Sequence, residues 1–203
     1  MKIPKPFAYP PTPHVRRHGP QGYPKYGMYR NWLRDEFSFR CIYCLRRETW
    51  LTLRKDHEID HFLPKSDHPD FERDYDNLVF ACHECNQTKA TKSLPSPEEI
   101  AYGECLSVNR RGEIKPKNKS KDGQAIIEAL DLNGREYVAM RRKILDLLAD
   151  CQPGSKTFSH FFGYPENLPD LSKERKPKGN KRPEGIRDSH YERHLRDELP
   201  SCY

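Results

Sequence analysis

An α+β fold follows from three features of this sequence: two Cys-x-x-Cys pairs, a β-prone stretch between them, and helical periodicity beyond residue 120. The chain is lean for its 203 residues, with 34% hydrophobic, 33% charged and 18 prolines. Its mean hydropathy is -1.01. Such a composition predicts a small core with helical additions and extended basic arms, and a metal site to supplement the packing. Four segments are expected: an extended Pro-rich basic arm over 1–27, a zinc-clamped core over 28–95, a helical extension over 96–152 and a basic C-terminal arm over 153–203.

Seven prolines in residues 1–27 favour extended chain over helix. In "MYRNWLRDEFSF", Tyr29, Trp32, Leu33 and Phe37 fall on one helical face. "CIYC" (41–44) reads as a tight turn, "RRETWLTLRKDHEIDHF" as two short strands stopped by Pro64, and "PKSDHPDFERDYD" as a polar loop. "NLVFAC" is a strand or the approach to a turn, and "HECNQTKATK" a short helix. Ser96, Pro97 and Glu99 spell a capping box, which predicts a helix start at Ser96. "DGQAIIEAL" and "NGREYVAMRRKILDLLADC" predict a helical pair joined at Leu132–Asn133. In the second, Tyr137, Met140, Ile144, Leu147 and Leu148 make an apolar stripe read as packing. Beyond Pro153 the Pro/Lys/Gly-rich composition predicts an arm or partial disorder.

No apolar run is long enough to span a membrane, and the N-terminus lacks the apolar stretch of a secretory signal. A soluble cytoplasmic protein is expected, with its seven cysteines reduced; an odd number also argues against a full disulfide framework. The net charge of +6 is uneven. Met1–Arg34 carry seven Lys/Arg and no acid, 109–121 and 173–187 are basic, and 54–92 hold nine acids against six bases. Basic flanks about an acidic centre suit a protein that grips polyanionic phosphate while gathering carboxylates at one site. Solvated linkers are the alternative for any one run. Arg16 and Arg17 are the N-terminal candidates for phosphate contact.

Cys41, Cys44, Cys82 and Cys85 supply four thiolates on two knuckles, the tetrahedral sulfur set that Zn2+ prefers. A redox dithiol is the alternative for either pair alone, and two matched pairs favour zinc. Four sulfurs fill the coordination shell, so this zinc is expected to hold structure and do no chemistry. The 37 residues between the knuckles leave room for an inserted unit. Cys105, Cys151 and Cys202 have no such pairing.

That insert carries "HEIDHFLP" (57–64), with Asn77 sixteen residues after His61 and Asn86 directly after the fourth cysteine. The pattern "DH..P", then "N", then "C..CN..K", over about residues 40–92, resembles the HNH endonucleases. The resemblance implies a ββα-metal core clamped by the four-cysteine zinc. It also implies roles: Asp60 as ligand of a divalent ion, His61 as general base, and Asn77 orienting that histidine through its side-chain amide. Asn86 becomes the second protein ligand, where many members have a histidine, which makes this an H-N-N variant. Chemistry agrees with those roles. Phosphodiester hydrolysis needs an activated water and a cation to neutralise the leaving oxygen. An imidazole with an ordinary pKa of about 6.5 suits the first task. One carboxylate plus one amide is a hard-oxygen set that favours Mg2+ or Mn2+ over zinc.

Lys89 and Lys92, further along the same predicted helix, are candidates for backbone phosphate, a solvated face being the alternative. His57 lines the cleft or is structural, and His83 sits inside the second knuckle, where it is a minor rival to a cysteine on zinc. The expected function is metal-dependent endonucleolytic cleavage of DNA, with RNA as the alternative because backbone contacts dominate affinity for both. Rival readings are a non-catalytic zinc module that binds nucleic acid and an assembly subunit. "LDLNGREYVAMRR" resembles a C-terminal helical region in the HNH component of Septu-type anti-phage systems, encoded beside an ATPase. That second resemblance implies antiviral defence and a protein partner such as that ATPase.

Overall fold

The computed structural model describes residues 4–50 and 57–203. In chain order the elements are β1 (Pro20–Gln21), α1 (Arg30–Glu36), β2 (His57–His61), β3 (Leu78–Cys82), α2 (His83–Lys89), α3 (Tyr102–Cys105), β4 (Leu106–Val108), β5 (Ile114–Pro116), α4 (Lys121–Ala129), α5 (Arg135–Asp150), α6 (Lys156–Phe162), β6 (Gly179–Asn180) and α7 (His190–Leu195). The strands pair in three antiparallel two-stranded sheets, β1 with β6, β2 with β3 and β4 with β5. The architecture is α+β, as the sequence predicts.

Its centre is the β2–β3 hairpin, which runs without a break into α2. In the hairpin His57 pairs with Cys82, Asp60 with Val79 and His61 with Leu78. Every residue of β3 is buried, and both α1 and α2 pack on that strand. Tyr29, Trp32, Leu33 and Phe37, the predicted apolar face, are all buried. Asp35 and Glu36 at the end of the same helix are buried too. They are tolerated because each accepts several hydrogen bonds. Asp35 takes His18 Nε2 at 2.7 Å and His190 Nδ1 at 2.9 Å. Glu36 takes the backbone N–H groups of Arg17 and His18 and the Tyr75 hydroxyl.

Those two carboxylates dock both terminal segments, which corrects the picture of free arms. Phe7, Tyr9 and Tyr23 from the first segment and Phe158, Phe162 and Leu171 from the last are buried. The β1–β6 pairing joins the two segments directly. Aromatic anchors spaced among the prolines supply the apolar area that composition averaged over whole segments hides.

Two further expectations change. The capping box at Ser96 makes one turn, with Ile100 N donating to Ser96 O at 2.9 Å, and goes no further. Pro97 O instead accepts from His14 N and Glu98 pairs with Arg16, so the N-terminal segment takes the groups a helix would have used. Of the two strands expected before Pro64, one is present as β2, while 48–50 form a 3-10 turn and 51–56 lie outside the described residues. The helical pair α4 and α5 forms as predicted, and Asn133 at its joint clasps both backbone groups of Ile114 at 2.8 Å. Among the described residues no helix is long and apolar enough to cross a membrane.

Candidate nuclease site and zinc knuckles

The two knuckles meet at the end of the hairpin where β3 becomes α2. Ile42 N donates to Phe80 O at 3.0 Å, which lays the first knuckle beside the strand that carries the second. Leu45 adopts a positive φ of 61° and its N–H returns to Cys41 O, closing the first loop. The four cysteines are buried, and their sulfurs all lie within 4.8 Å of one another. Zn–S bonds of about 2.3 Å imply tetrahedral sulfur–sulfur edges of about 3.8 Å. The Cys44–Cys82 separation is 3.6 Å, so the set fits zinc. His83 is no rival to a thiolate: its Nδ1 meets Glu58 at 2.9 Å. His57 is buried, stacks on Phe80 and bonds Arg46 O at 3.0 Å, a structural role.

At the other end of the hairpin, His61 Nε2 lies 3.0 Å from the Glu72 carbonyl. A carbonyl can only accept, so Nε2 carries a proton and, in the neutral ring, Nδ1 holds the lone pair. Tyr26, from the N-terminal segment, packs edge-on against the imidazole with centroids 4.8 Å apart. Asn77 does not touch the ring, contrary to its expected role. Its amide Oδ1 accepts from Leu63 N at 2.8 Å and its Nδ2 donates to Leu63 O at 3.0 Å. Asn77 therefore clamps the ends of the loop that carries Glu72, and the carbonyl of Glu72 orients the histidine.

Asp60 is 4% exposed. Its Oδ2 accepts from the Tyr43 hydroxyl at 2.6 Å and its Oδ1 from Lys89 Nζ at 3.2 Å. Burial raises the Asp60 pKa, opposed by the Lys89 charge and the Tyr43 hydrogen bond. Lys89 is fully buried and also donates to His61 O at 2.9 Å. It is the counter-ion of Asp60 and is not a phosphate contact. Asn86 donates to Glu58 Oε2 at 2.7 Å. Asp60 and Asn86, expected to share an ion, thus each bond a different partner. Glu58 is the residue that sequence reasoning missed. Strand alternation puts it on the same face of β2 as Asp60, and that period was the available signal. Glu58, Asp60 and Asn86 offer oxygen donors of the kind that hard cations take.

The other basic candidates are also committed internally. Arg16 is buried and gives Nε to Glu98 at 2.6 Å, Nη1 to Leu78 O at 2.8 Å and Nη2 to Asp76 O at 3.0 Å. Arg17 pairs with Asp35 and bonds Asp188 O. Lys92 donates to Thr88 O and Ala129 O, both at 2.8 Å, tying the end of α2 to α4. These side chains hold segments together, with Lys92 exposed at the surface.

The hairpin and the helix form a ββα unit beside a four-cysteine cluster that fits zinc. Residues 41–92 match the family model of the HNH endonuclease, and their four cysteines are positioned to bind zinc. The comparison with curated proteins gave no match.

Proposed function

We propose that the chain is a metal-dependent endonuclease that hydrolyses phosphodiester bonds in DNA, with His61 as general base. The observation that supports this most is the Glu72 carbonyl on Nε2, which fixes the tautomer with Nδ1 unprotonated. A water at Nδ1 loses its proton to the imidazole as its oxygen bonds to phosphorus, and the bond to the leaving sugar oxygen breaks. Asn77 keeps the Glu72 loop in place and Tyr26 limits ring rotation, so the base is held before substrate arrives. Asp60, Glu58 and Asn86 would hold a Mg2+ or Mn2+ ion, which supplies charge neutralisation for the leaving oxygen. A place in phage defence beside an ATPase partner rests on the sequence of residues 130–142 alone.

Supercoiled plasmid incubated with the protein tests this reading. Nicked or linear product is expected with added Mg2+ or Mn2+ and none when the divalent ion is left out. Intact plasmid under every ion condition would overturn it.

A further inference from the structure

The face of α5 that packs on the zinc knuckles carries two polar groups among its apolar ones. Tyr137 places its hydroxyl 3.8 Å from Cys85 Sγ. Arg141, one turn further on, is 0% exposed. Its Nε donates to Gly112 O at 2.6 Å and its Nη2 to Leu132 O at 2.5 Å, while Nη1 has no hydrogen-bond partner within the protein. The Gly112 contact needs a close approach: φ there is +80°, and a Cβ would sit 2.7 Å from Val138 O. Arg46, from the first knuckle, lies over the Tyr137 ring with its guanidinium carbon 5.8 Å from the centroid.

A buried guanidinium with no carboxylate beside it is costly unless another negative charge is near. Four thiolates around one Zn2+ carry a net charge of about −2, which is that charge. We propose that Tyr137 and Arg141 form the outer shell of the zinc site, the hydroxyl donating to the Cys85 thiolate and the guanidinium offsetting the charge of the sulfur cluster. Arg141 lies one turn beyond Tyr137 on the same face of α5, the face that reaches Cys85 Sγ. The helix beyond the matched domain thereby becomes part of what retains the metal. Outer partners of this kind alter metal affinity by roughly 10–100-fold. The inference rests on the four-cysteine zinc reading.

The test is zinc release from the full-length protein into excess chromogenic chelator under native conditions, after metal analysis of the starting material. Arg141→Met is expected to release zinc roughly 10–100-fold faster than wild type. Arg141→Lys should fall between the two, and Tyr137→Phe should show a smaller acceleration. Arg142→Met, on the exposed side of the same helix, should match wild type. Wild-type rates in folded Arg141→Met and Tyr137→Phe would overturn the proposal with the zinc reading intact. If Arg141→Met does not fold, Tyr137→Phe decides, since it removes one hydroxyl and no packing volume. Wild-type protein that carries no zinc would sink the zinc reading and this inference with it.

Discussion

The two ends of the β2–β3 hairpin are built on opposite plans although only four residue steps separate them. At the Cys82 end every thiol is buried, and the surrounding polar groups come from the protein itself. At the His61 end the ring is half-buried and one of its nitrogens is held by the Glu72 carbonyl. A filled coordination shell gives rigidity and no reactivity; an open one gives reactivity and needs rigidity from elsewhere. The hairpin spans about 13 Å between its two ends, four steps of about 3.3 Å each.

The largest effect expected from breaking this contrast is at the closed end. Cys82→Ser/Cys85→Ser should abolish zinc binding and unfold the knuckles, because apparent zinc affinities of about 10–16 kcal/mol are folding free energy in such units. Metal analysis and circular dichroism read the result, and full zinc occupancy in the double mutant would break the assignment. At the open end, Lys89→Met should cost about 3–5 kcal/mol, since it leaves Asp60 buried without its counter-ion. Urea denaturation with and without Mn2+ sharpens the point. If Asp60 is a metal ligand, Mn2+ restores part of the loss; an equal loss in both conditions places the ion elsewhere.

Spacing made the knuckles and His61 legible, because a thiolate pair or a histidine in a strand acts wherever the local chain puts it. Helices α4 and α5 were legible from their sequence pattern. The partners of Asp60, Asn77 and Lys89 were not. A buried lysine and a solvated one look alike in sequence, and only the register of α2 against β2 turns Lys89 inward. The docked termini escaped notice for the same reason: what captures them is a pair of carboxylates on α1 that composition counts as surface charge. Tyr137 was read as packing because an apolar stripe does not reveal that one hydroxyl ends beside a sulfur.

A smaller effect separates the docked termini from the zinc end. Burial would raise the Glu36 pKa, but the His14 ring, His18 and the Arg17 N–H group bring it down to about 2. Asp35 is held below the carboxylate range, against its burial, by His18 and His190. Unfolded carboxylates titrate near 4, so the folded state binds fewer protons below that pH. Their stabilisation is complete above about pH 4.5 and is lost as pH falls toward about 2. Burial also lowers the His190 pKa, which adds a loss in the same direction below about pH 6.5. The thermal midpoint should therefore fall on acidification, and Glu36→Gln should flatten that fall by roughly 1–3 kcal/mol. A pH profile identical in wild type and Glu36→Gln would show that this carboxylate does not anchor the arms.

The most direct measurement is the single-turnover cleavage rate of zinc-replete His61→Ala with Mg2+ or Mn2+. Zinc content, fold and DNA affinity should match wild type, because the imidazole acts on the water alone, while the rate falls by about 10²–10⁴-fold, the usual worth of a positioned base. Wild-type cleavage by that variant would contradict the division of the hairpin into a closed end that holds and an open end that cuts.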